Sequence, residues 1–150
     1  MIFSKSCVYG LRAMIYLASI SREDYVSIKG LSEKLDISFH FLTKILQQLT
    51  AADLLESMKG PKGGVRLSKP GSEITLKEVV EAIDGPAIFT ECVLGLPGCG
   101  SEKPCPMHDM WQNTRDGINE VFMSTSLKDM SKEGKKKDLR ITPDGKFIWG

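Results

Sequence analysis

Residues 27–68 read SIKGLSEKLDISFHFLTKILQQLTAADLLESMKGPKGGVRLS and contain the pattern that decides the fold. Ser27 is placed to cap one short helix, and Ser38 begins a second one after a tight turn. The second helix has one polar and one apolar face, and the apolar face consists of Phe41 or Leu42, Ile45, Leu46 and Leu49. Two short helices joined in this way predict a helix-turn-helix.

A basic β-hairpin is predicted directly after the second helix. Residues 54–58 and 65–68 alternate in polarity on either side of a turn rich in Gly and Pro. Two lysines lie in this turn, and Arg66 follows it. A helix-turn-helix followed by a basic hairpin is the outline of a winged helix-turn-helix, a motif that binds DNA.

The outer face of the second helix and the hairpin supply candidate DNA contacts. Ser38 and the backbone N–H groups at the head of the helix suit a phosphate. His40 and Thr43 lie one turn apart on the outer face, where base edges in the major groove are read. The alternative is an ordinary solvated face. The predicted DNA-binding residues are Ser38, His40, Thr43, Lys44, Gln47, Lys59, Lys62 and Arg66.

The flanking segments are predicted to be helical. An amphipathic pattern covers residues 4–20, and Thr75 with Glu78 forms a capping box before a helix that runs to about Ile83. A long apolar stripe from residue 107 to 122 needs a packing partner, either a second copy of the same helix or the core of its own domain. The predicted fold is mainly α: a winged helix-turn-helix with a small β-hairpin wing and a long C-terminal dimerisation helix.

Three of the four cysteines lie in a loop rich in Gly and Pro, together with a histidine. The spacing is Cys-x6-Cys-x5-Cys-x2-His, from Cys92 through Cys99 and Cys105 to His108. Thiolate and imidazole are ligands of zinc and of iron–sulfur clusters, and such a loop lets several ligands converge. The residues predict a metal or cluster site and leave zinc and iron both open. Cys7 is expected to be a packed thiol.

The net charge of +1 hides an uneven distribution along the chain of 150 residues. Residues 1–70 carry ten basic and six acidic side chains, residues 71–127 carry three and nine, and residues 128–150 carry seven and four. A basic segment beside an acidic one indicates that the first contacts a polyanion and that the second has another role. The lysine-rich end is predicted to be mostly solvated.

These patterns divide the chain into four parts. Residues 1–85 are the predicted DNA-binding domain, 86–108 the cluster-binding loop, 109–127 the dimerisation helix and 128–150 a basic, flexible tail. The first twenty residues show neither an uninterrupted apolar run nor a small-residue cleavage site. We therefore expect a cytoplasmic protein with reduced thiols and no membrane contact.

The order of these parts resembles the Rrf2 family of winged-helix transcription regulators. The matching features are the opening helix around residues 9–14, the segment 31–49, the glycine-rich wing 60–64, the helix 76–84, and three cysteines before a long helix. The resemblance covers about residues 1–125. The wing and the three-cysteine loop together make it specific.

The resemblance implies a homodimer that binds a palindromic operator on double-stranded DNA. It further implies a repressor that senses iron–sulfur, redox or nitric oxide status through a 2Fe-2S or 4Fe-4S cluster on the three loop cysteines. In the IscR-like pattern the fourth ligand is a histidine after the third cysteine, which corresponds to His108. In another pattern of the family it is a carboxylate from the partner's first helix, a position where this chain has Val8. Cys7 is the neighbouring residue, and its thiolate, supplied by the other subunit, is the alternative fourth ligand that the resemblance implies.

Two other functions are compatible with the loop. In the first, the loop is a structural zinc site or a thiol-oxidation switch in a regulator without iron. In the second, the loop belongs to an enzyme in which Cys105 is the nucleophile and His108 is the base. The sequence contains no evident third orienting group, phosphate loop or paired-carboxylate motif. We therefore expect a protein that is not an enzyme.

Overall fold

Helices dominate the structure, a computed structural model that describes residues 2–98 and 102–149. Within these residues, none of the helices is long and apolar enough to cross a membrane. A 3-10 turn covers Gly71–Glu73. The other elements are α1 (Lys5–Ala18), α2 (Ile28–Leu35), α3 (Phe39–Ala51), β1 (Leu55–Met58), β2 (Gly64–Leu67), α4 (Leu76–Asp84), α5 (Ala87–Thr90), α6 (His108–Ser124) and α7 (Leu127–Lys137).

The predicted helix-turn-helix is confirmed as α2 and α3. The Ser27 hydroxyl accepts a hydrogen bond of 3.0 Å from the Gly30 N–H and caps α2. Asp36 ends α2 in the left-handed conformation, with φ of 55°. The apolar face of α3 is buried as predicted, and it consists of Leu42, Ile45, Leu46 and Leu49. This face packs against α1 and α2, so the opposite face of α3 is left towards solvent.

The predicted wing is the antiparallel pair β1 and β2, in which Leu55 lies opposite Leu67. The segment before α2 adds a third short pairing to this hairpin. The Val26 N–H donates to the Val65 carbonyl at 2.8 Å, and the Val65 N–H donates back at 2.9 Å. Gly64 has φ of 147°, and a Cβ there would overlap the Val26 carbonyl oxygen. A glycine at this position thus permits the close approach that attaches the wing to the body.

The capping box of α4 is confirmed, and it fixes the helix that packs across α1. The Glu78 N–H donates to Thr75 Oγ1 at 3.2 Å, while Glu78 Oε2 accepts from the Thr75 N–H at 3.1 Å. At the other end of α4, Asp84 accepts from the backbone and the hydroxyl of Ser4, the N-cap of α1. These bonds hold the start of α1 against the end of α4.

The long helix α6 uses only one edge for its own domain. Phe122 lies on this edge, with ring centroids 5.3 Å from Phe3 and 6.1 Å from Phe89. On the other edge, Met110 is 65% exposed and Val121 is 56% exposed. The apolar stripe therefore divides between the domain core and an apolar edge that the described residues leave open.

The tail over residues 128–150 was predicted to be mostly solvated and flexible. Most of its described residues are exposed, but it contains the helix α7. Ser126 and Asp129 form a second capping box at the start of α7, which packs along α1. Leu127 is fully buried, and the Trp149 indole docks on Gly134 and donates to the Leu139 carbonyl at 2.8 Å. Apolar and small residues at helical spacing bury one face of α7 beneath its lysines. The division of the chain at residues 85, 108 and 127 stays a prediction.

Candidate nucleic-acid interface and cysteine loop

The outer face of α3 presents the side chains predicted to bind DNA. Ser38, His40, Lys44 and Gln47 are exposed, and Thr43 is half-buried. The Ser38 side chain makes no capping bond to the helix, so its hydroxyl is not committed to the helix backbone. The Thr43 hydroxyl donates to the Phe39 carbonyl at 2.7 Å, which uses the only donor proton of that side chain.

A groove of about 610 Å³ lies between α3, the start of α2 and the wing. Its lining combines apolar side chains with the outer face of α3, and includes Phe39, Thr43, Gln47, Met58, Lys59 and Pro61. The structure thus brings two of the predicted base-reading residues, Thr43 and Gln47, together with the wing in one concave surface. His40 does not line the groove and lies on the adjoining part of the exposed face.

The three basic residues of the wing differ in how they are held. Lys59 and Lys62 are exposed at the tip, as a phosphate contact requires. Arg66 is engaged within the chain: its Nε lies 2.9 Å from Glu56 Oε2, and its guanidinium is 4.3 Å from the centroid of the Tyr25 ring. In this conformation Arg66 fastens the wing to the segment before α2.

The described part of the cysteine loop brings two thiols into contact. The sulfur atoms of Cys92 and Cys105 are 3.3 Å apart, which is too long for a disulfide. The Leu94 N–H also donates to Cys92 Sγ at 3.4 Å. His108 is 8% exposed and lies one turn beyond Cys105, whose carbonyl accepts from the His108 N–H at 3.0 Å. A cavity of about 520 Å³ is lined by both Cys105 and His108.

Helix α6 holds the backbone that leads into this loop. The Glu91 carbonyl accepts from Trp111 Nε1 at 2.9 Å and from an Arg115 guanidinium nitrogen at 3.4 Å. The same arginine nitrogen donates to the Thr90 carbonyl at 3.2 Å. Because Glu91 directly precedes Cys92, a movement of this cysteine is linked to α6 through these hydrogen bonds.

Cys7 is fully buried and packs with Val80 and Phe89. Burial, and to a smaller extent the nearby Asp84 carboxylate, raises the pKa of the Cys7 thiol to about 12. Metal ligation requires a thiolate. The surroundings of Cys7 therefore fit the predicted packed thiol.

The donor set of the loop fits a soft metal centre. The Cys92 and Cys105 thiols are in contact, and the His108 imidazole lines the cavity beside Cys105. Thiolates and imidazole are the ligand types used for iron–sulfur clusters and zinc. Across residues 2–98 and 102–149, no group of three or more His, Cys, Asp or Glu side chains is arranged to hold a metal ion. The predicted ligand Cys99 lies outside the described residues.

Sequence reasoning missed three residues that shape these sites: Phe39, Met58 and Trp111. Phe39 precedes Thr43 and Gln47 at intervals of four on α3, so helical spacing already placed it on the groove side. Met58 is 46% exposed at the end of β1, a position that follows from strand alternation. The bond from Trp111 to the Glu91 carbonyl joins residues twenty positions apart, and no local signal predicts it.

Known proteins resemble this chain in sequence and in fold. IscR of Photorhabdus laumondii is 34% identical over 122 residues, which cover 81% of this chain and 74% of that protein. CymR of B. subtilis, described as the global cysteine regulator, has a TM-score of 0.74 and 27% identity, over 88% of this chain and 97% of that one. T. potens IscR has a TM-score of 0.73 and 24% identity, over 93% of each chain.

These relatives and fold neighbours are transcriptional regulators rather than enzymes. Their winged-helix fold is the one that α2, α3 and the wing form here, and regulators of this fold bind DNA. A sequence model of the Rrf2 family, described as iron-dependent transcriptional regulators, matches residues 3–133. The chain therefore belongs to the Rrf2 family of winged-helix transcription regulators.

Proposed function

We infer that this regulator binds a palindromic operator as a homodimer and that an iron–sulfur cluster in the Cys92–His108 loop sets its operator affinity. The proposed ligands are Cys92, Cys99, Cys105 and His108. The contact between the Cys92 and Cys105 thiols, with His108 at the start of α6, is the observation that carries this proposal. When bound, such a cluster supplies a centre whose charge and integrity respond to iron supply, oxidants or nitric oxide.

On the DNA side, α3 enters the major groove with its exposed first turns towards the base edges. Ser38 and the first N–H groups of α3 receive a phosphate. His40, Thr43 and Gln47 read bases, and Lys44 adds positive charge beside them. Lys59 and Lys62 at the wing tip neutralise phosphates across the neighbouring backbone. The exposure of Ser38, His40, Lys44 and Gln47 and of both wing lysines supports this placement.

Arg66 was predicted as a DNA contact, and we assign it a different part in binding. Its guanidinium is held between Glu56 and the Tyr25 ring, where it fastens the wing to the segment before α2. Direct phosphate contact would require Arg66 to leave these partners. Lys59 and Lys62 have no such commitment to the body of the domain and are the wing's phosphate contacts.

Dimerisation supplies the two recognition helices that a palindrome needs. The exposed apolar edge of α6, with Met110 and Val121, supports pairing with the same edge of a second copy. In a palindromic site the two α3 helices must reach major grooves one or more helical turns apart. A rotation about the α6 pair therefore changes operator affinity.

The path from the loop to this pair runs through Glu91. Trp111 and Arg115 of α6 hold the carbonyl of the residue before Cys92. Ordering the loop on a bound group fixes this attachment, and a relaxed loop loosens it. Allosteric coupling of this kind is typically worth about 1–3 kcal/mol, or roughly a fivefold to 150-fold change in operator affinity.

Anaerobic purification with iron and sulfide analysis tests the cluster. We expect a coloured protein with visible absorption, and a loss of colour and iron in Cys105→Ala. The Cys7→Ala variant is the matched control, since its thiol is buried away from solvent, and it keeps both colour and iron. A wild-type protein that stays colourless and iron-free after reconstitution contradicts the proposal.

A thiol switch without iron is the second candidate, because the Cys92 and Cys105 sulfurs already lie 3.3 Å apart. Joining them as a disulfide releases two protons and passes two electrons to an oxidant such as a peroxide. Mass spectrometry of alkylated protein after peroxide treatment detects that bond. A zinc site in the same loop gives a colourless protein with stoichiometric zinc, so metal analysis separates the three cases.

A further inference from the structure

An apolar side chain stands at the head of the recognition helix, where a solvated surface would be polar. Phe39 is the first residue of α3 and is 46% exposed, and it lines the groove towards the wing. A large aromatic ring exposed at this point contributes little to the core of its own domain. Its position in the first turn of α3 is where recognition helices contact base edges.

Thr43 continues this apolar surface one turn further along α3. Its hydroxyl proton is used in the 2.7 Å bond to the Phe39 carbonyl, so the side chain has no donor left for a base. What Thr43 adds to the groove is its methyl group and one acceptor oxygen. Phe39 and Thr43 therefore suit an apolar contact with a base better than a hydrogen-bonded one.

The rest of the groove is suited to a polyanion that carries an apolar group. Met58 and Pro61 extend the apolar surface on the wing side, and Lys29 and Lys59 also line the groove. Among the described residues that line it, none is acidic. DNA offers this combination at thymine, whose 5-methyl group projects into the major groove between two phosphate backbones.

We propose that Phe39 and the methyl group of Thr43 read the 5-methyl group of a thymine in each operator half-site. This rests on the proposed entry of α3 into the major groove, and it adds the base that the first turns select. Gln47 lies one turn after Thr43 on the same face of α3, and its amide can still hydrogen-bond a neighbouring base edge. The contact with thymine needs no hydrogen bond, and this sets it apart from the readout by Gln47.

Replacing thymine with deoxyuridine tests the contact, because it removes one methyl group and leaves every hydrogen-bonding group of the base in place. The operator is first selected from a random-sequence pool with the wild-type protein, and each thymine of a half-site is then replaced in turn. We expect about a fourfold loss of affinity at one position per half-site, the effect of one buried methyl group. Equal affinity for all the deoxyuridine operators overturns the proposal.

Two variants assign the effect to its residues. In Phe39→Ala the ratio of affinities for the thymine and deoxyuridine operators falls to about one at that position, and Thr43→Ser, which keeps the hydroxyl, lowers it partly. Phe147→Ala is the matched control, because it removes a phenylalanine ring that is 59% exposed but lies in the tail, and it keeps the wild-type ratio. Phe39→Ala that keeps the ratio overturns the assignment.

The same experiment separates this inference from the proposed function. A protein that selects an operator but ignores the thymine methyl group still reads DNA through α3, and only the inference fails. A protein that selects no sequence at all contradicts the DNA-reading role of α3 and the inference with it. Circular dichroism and thermal unfolding of each variant verify that the fold is intact.

Discussion

At the scale of single residues, Gly64 decides how the wing meets the body of the domain. A Cβ at Gly64 would overlap the Val26 carbonyl oxygen, and its φ of 147° favours glycine. We expect Gly64→Ala to lower the free energy of unfolding by about 1–3 kcal/mol, because backbone strain and the lost Val26 pairing add. Urea unfolding measures this change.

Gly60→Ala is the control for that variant. Gly60 also has a positive φ, of 105°, but nothing lies within 4 Å of its added Cβ. Both variants share the backbone strain, so the difference between them reports the contact with Val26. Equal losses of stability in the two variants would contradict the role given to the Val26 pairing.

A second prediction for a single residue concerns how the Cys7 thiol makes stability depend on pH. Its pKa is about 12 in the folded protein, above the usual 9.0, so the folded state favours the protonated thiol. The stabilisation linked to this shift is complete below pH 9 and is lost as the pH rises from about 9 towards 12. Urea unfolding across this range should show a steeper loss of stability in the wild type than in Cys7→Ala. If the free energy of unfolding depends on pH in the same way in both proteins, the raised pKa of the Cys7 thiol is refuted.

Arg66 marks the limit of what residue patterns predict. A basic residue beside a glycine-rich turn is typical of a DNA-contacting wing, and the sequence alone favoured that interpretation. The structure instead gives the guanidinium an ion pair with Glu56 and a stacked ring, Tyr25. Tyr25 is 41 positions away in sequence, and long-range contacts such as the pairing of Val26 with Val65 bring it close to Arg66.

At the scale of elements, the Trp111 indole is one of two α6 side chains that hold the backbone leading into the cysteine loop. We expect Trp111→Phe to speed hydrogen exchange in the peptide covering residues 86–98, because the Glu91 carbonyl loses its 2.9 Å bond from Trp111 Nε1. Mass spectrometry measures the exchange.

Trp149→Phe is the matched control, because its indole also donates to a backbone carbonyl but at the far end of the chain, on Leu139. This variant should leave exchange in residues 86–98 unchanged. The same exchange in both variants would remove Trp111 from the path between the loop and α6.

The Trp149 ring packs on Gly134 of α7, so the expected effect of Gly134→Ala on stability is the opposite of the effect that helix propensity predicts. Alanine in place of a helical glycine normally stabilises a helix by about 1 kcal/mol. At Gly134 the added Cβ would overlap the Trp149 ring, so we expect Gly134→Ala to destabilise the protein by about 1–3 kcal/mol.

Tryptophan fluorescence and urea unfolding measure the effect, and displaced Trp149 should emit at longer wavelength. In a Trp149→Ala background the clash is absent, and Gly134→Ala should then be neutral or stabilising. A stabilising Gly134→Ala in the otherwise wild-type chain would show that the indole does not pack there.

Most elements followed from the sequence, because caps and periodicity are local signals. The caps at Ser27 and Thr75 and the buried stripe of α3 lie where helical spacing put them. Helix α7 was not predicted, because its lysine-rich sequence is typical of a solvated segment, although Ser126 and Asp129 form the same capping signal as Thr75 and Glu78. Solvated lysines on one face are compatible with a buried opposite face.

At the scale of the whole molecule, charge and cysteine positions predicted separate DNA-binding and sensing regions, and this division stays a prediction. The basic first seventy residues contain the winged helix, and the acidic part contains the loop and α6. The spacing of the cysteines in the sequence does not predict that the Cys92 and Cys105 thiols are in contact while Cys7 is buried in the core. Tertiary packing decides which thiols converge. The choice of metal, equally, depends on affinity and supply and not on spacing.

If a cluster in the loop controls operator affinity, that affinity must differ between the iron-loaded and the iron-free protein. Operator affinity is measured on anaerobically purified protein, with its iron and sulfide counted, and again after the metal is removed by a chelator. We expect a coloured protein whose operator affinity changes about tenfold when the metal is removed, and a Cys105→Ala variant whose affinity does not respond. An operator affinity that is the same in the iron-loaded and iron-free wild type would contradict this expectation.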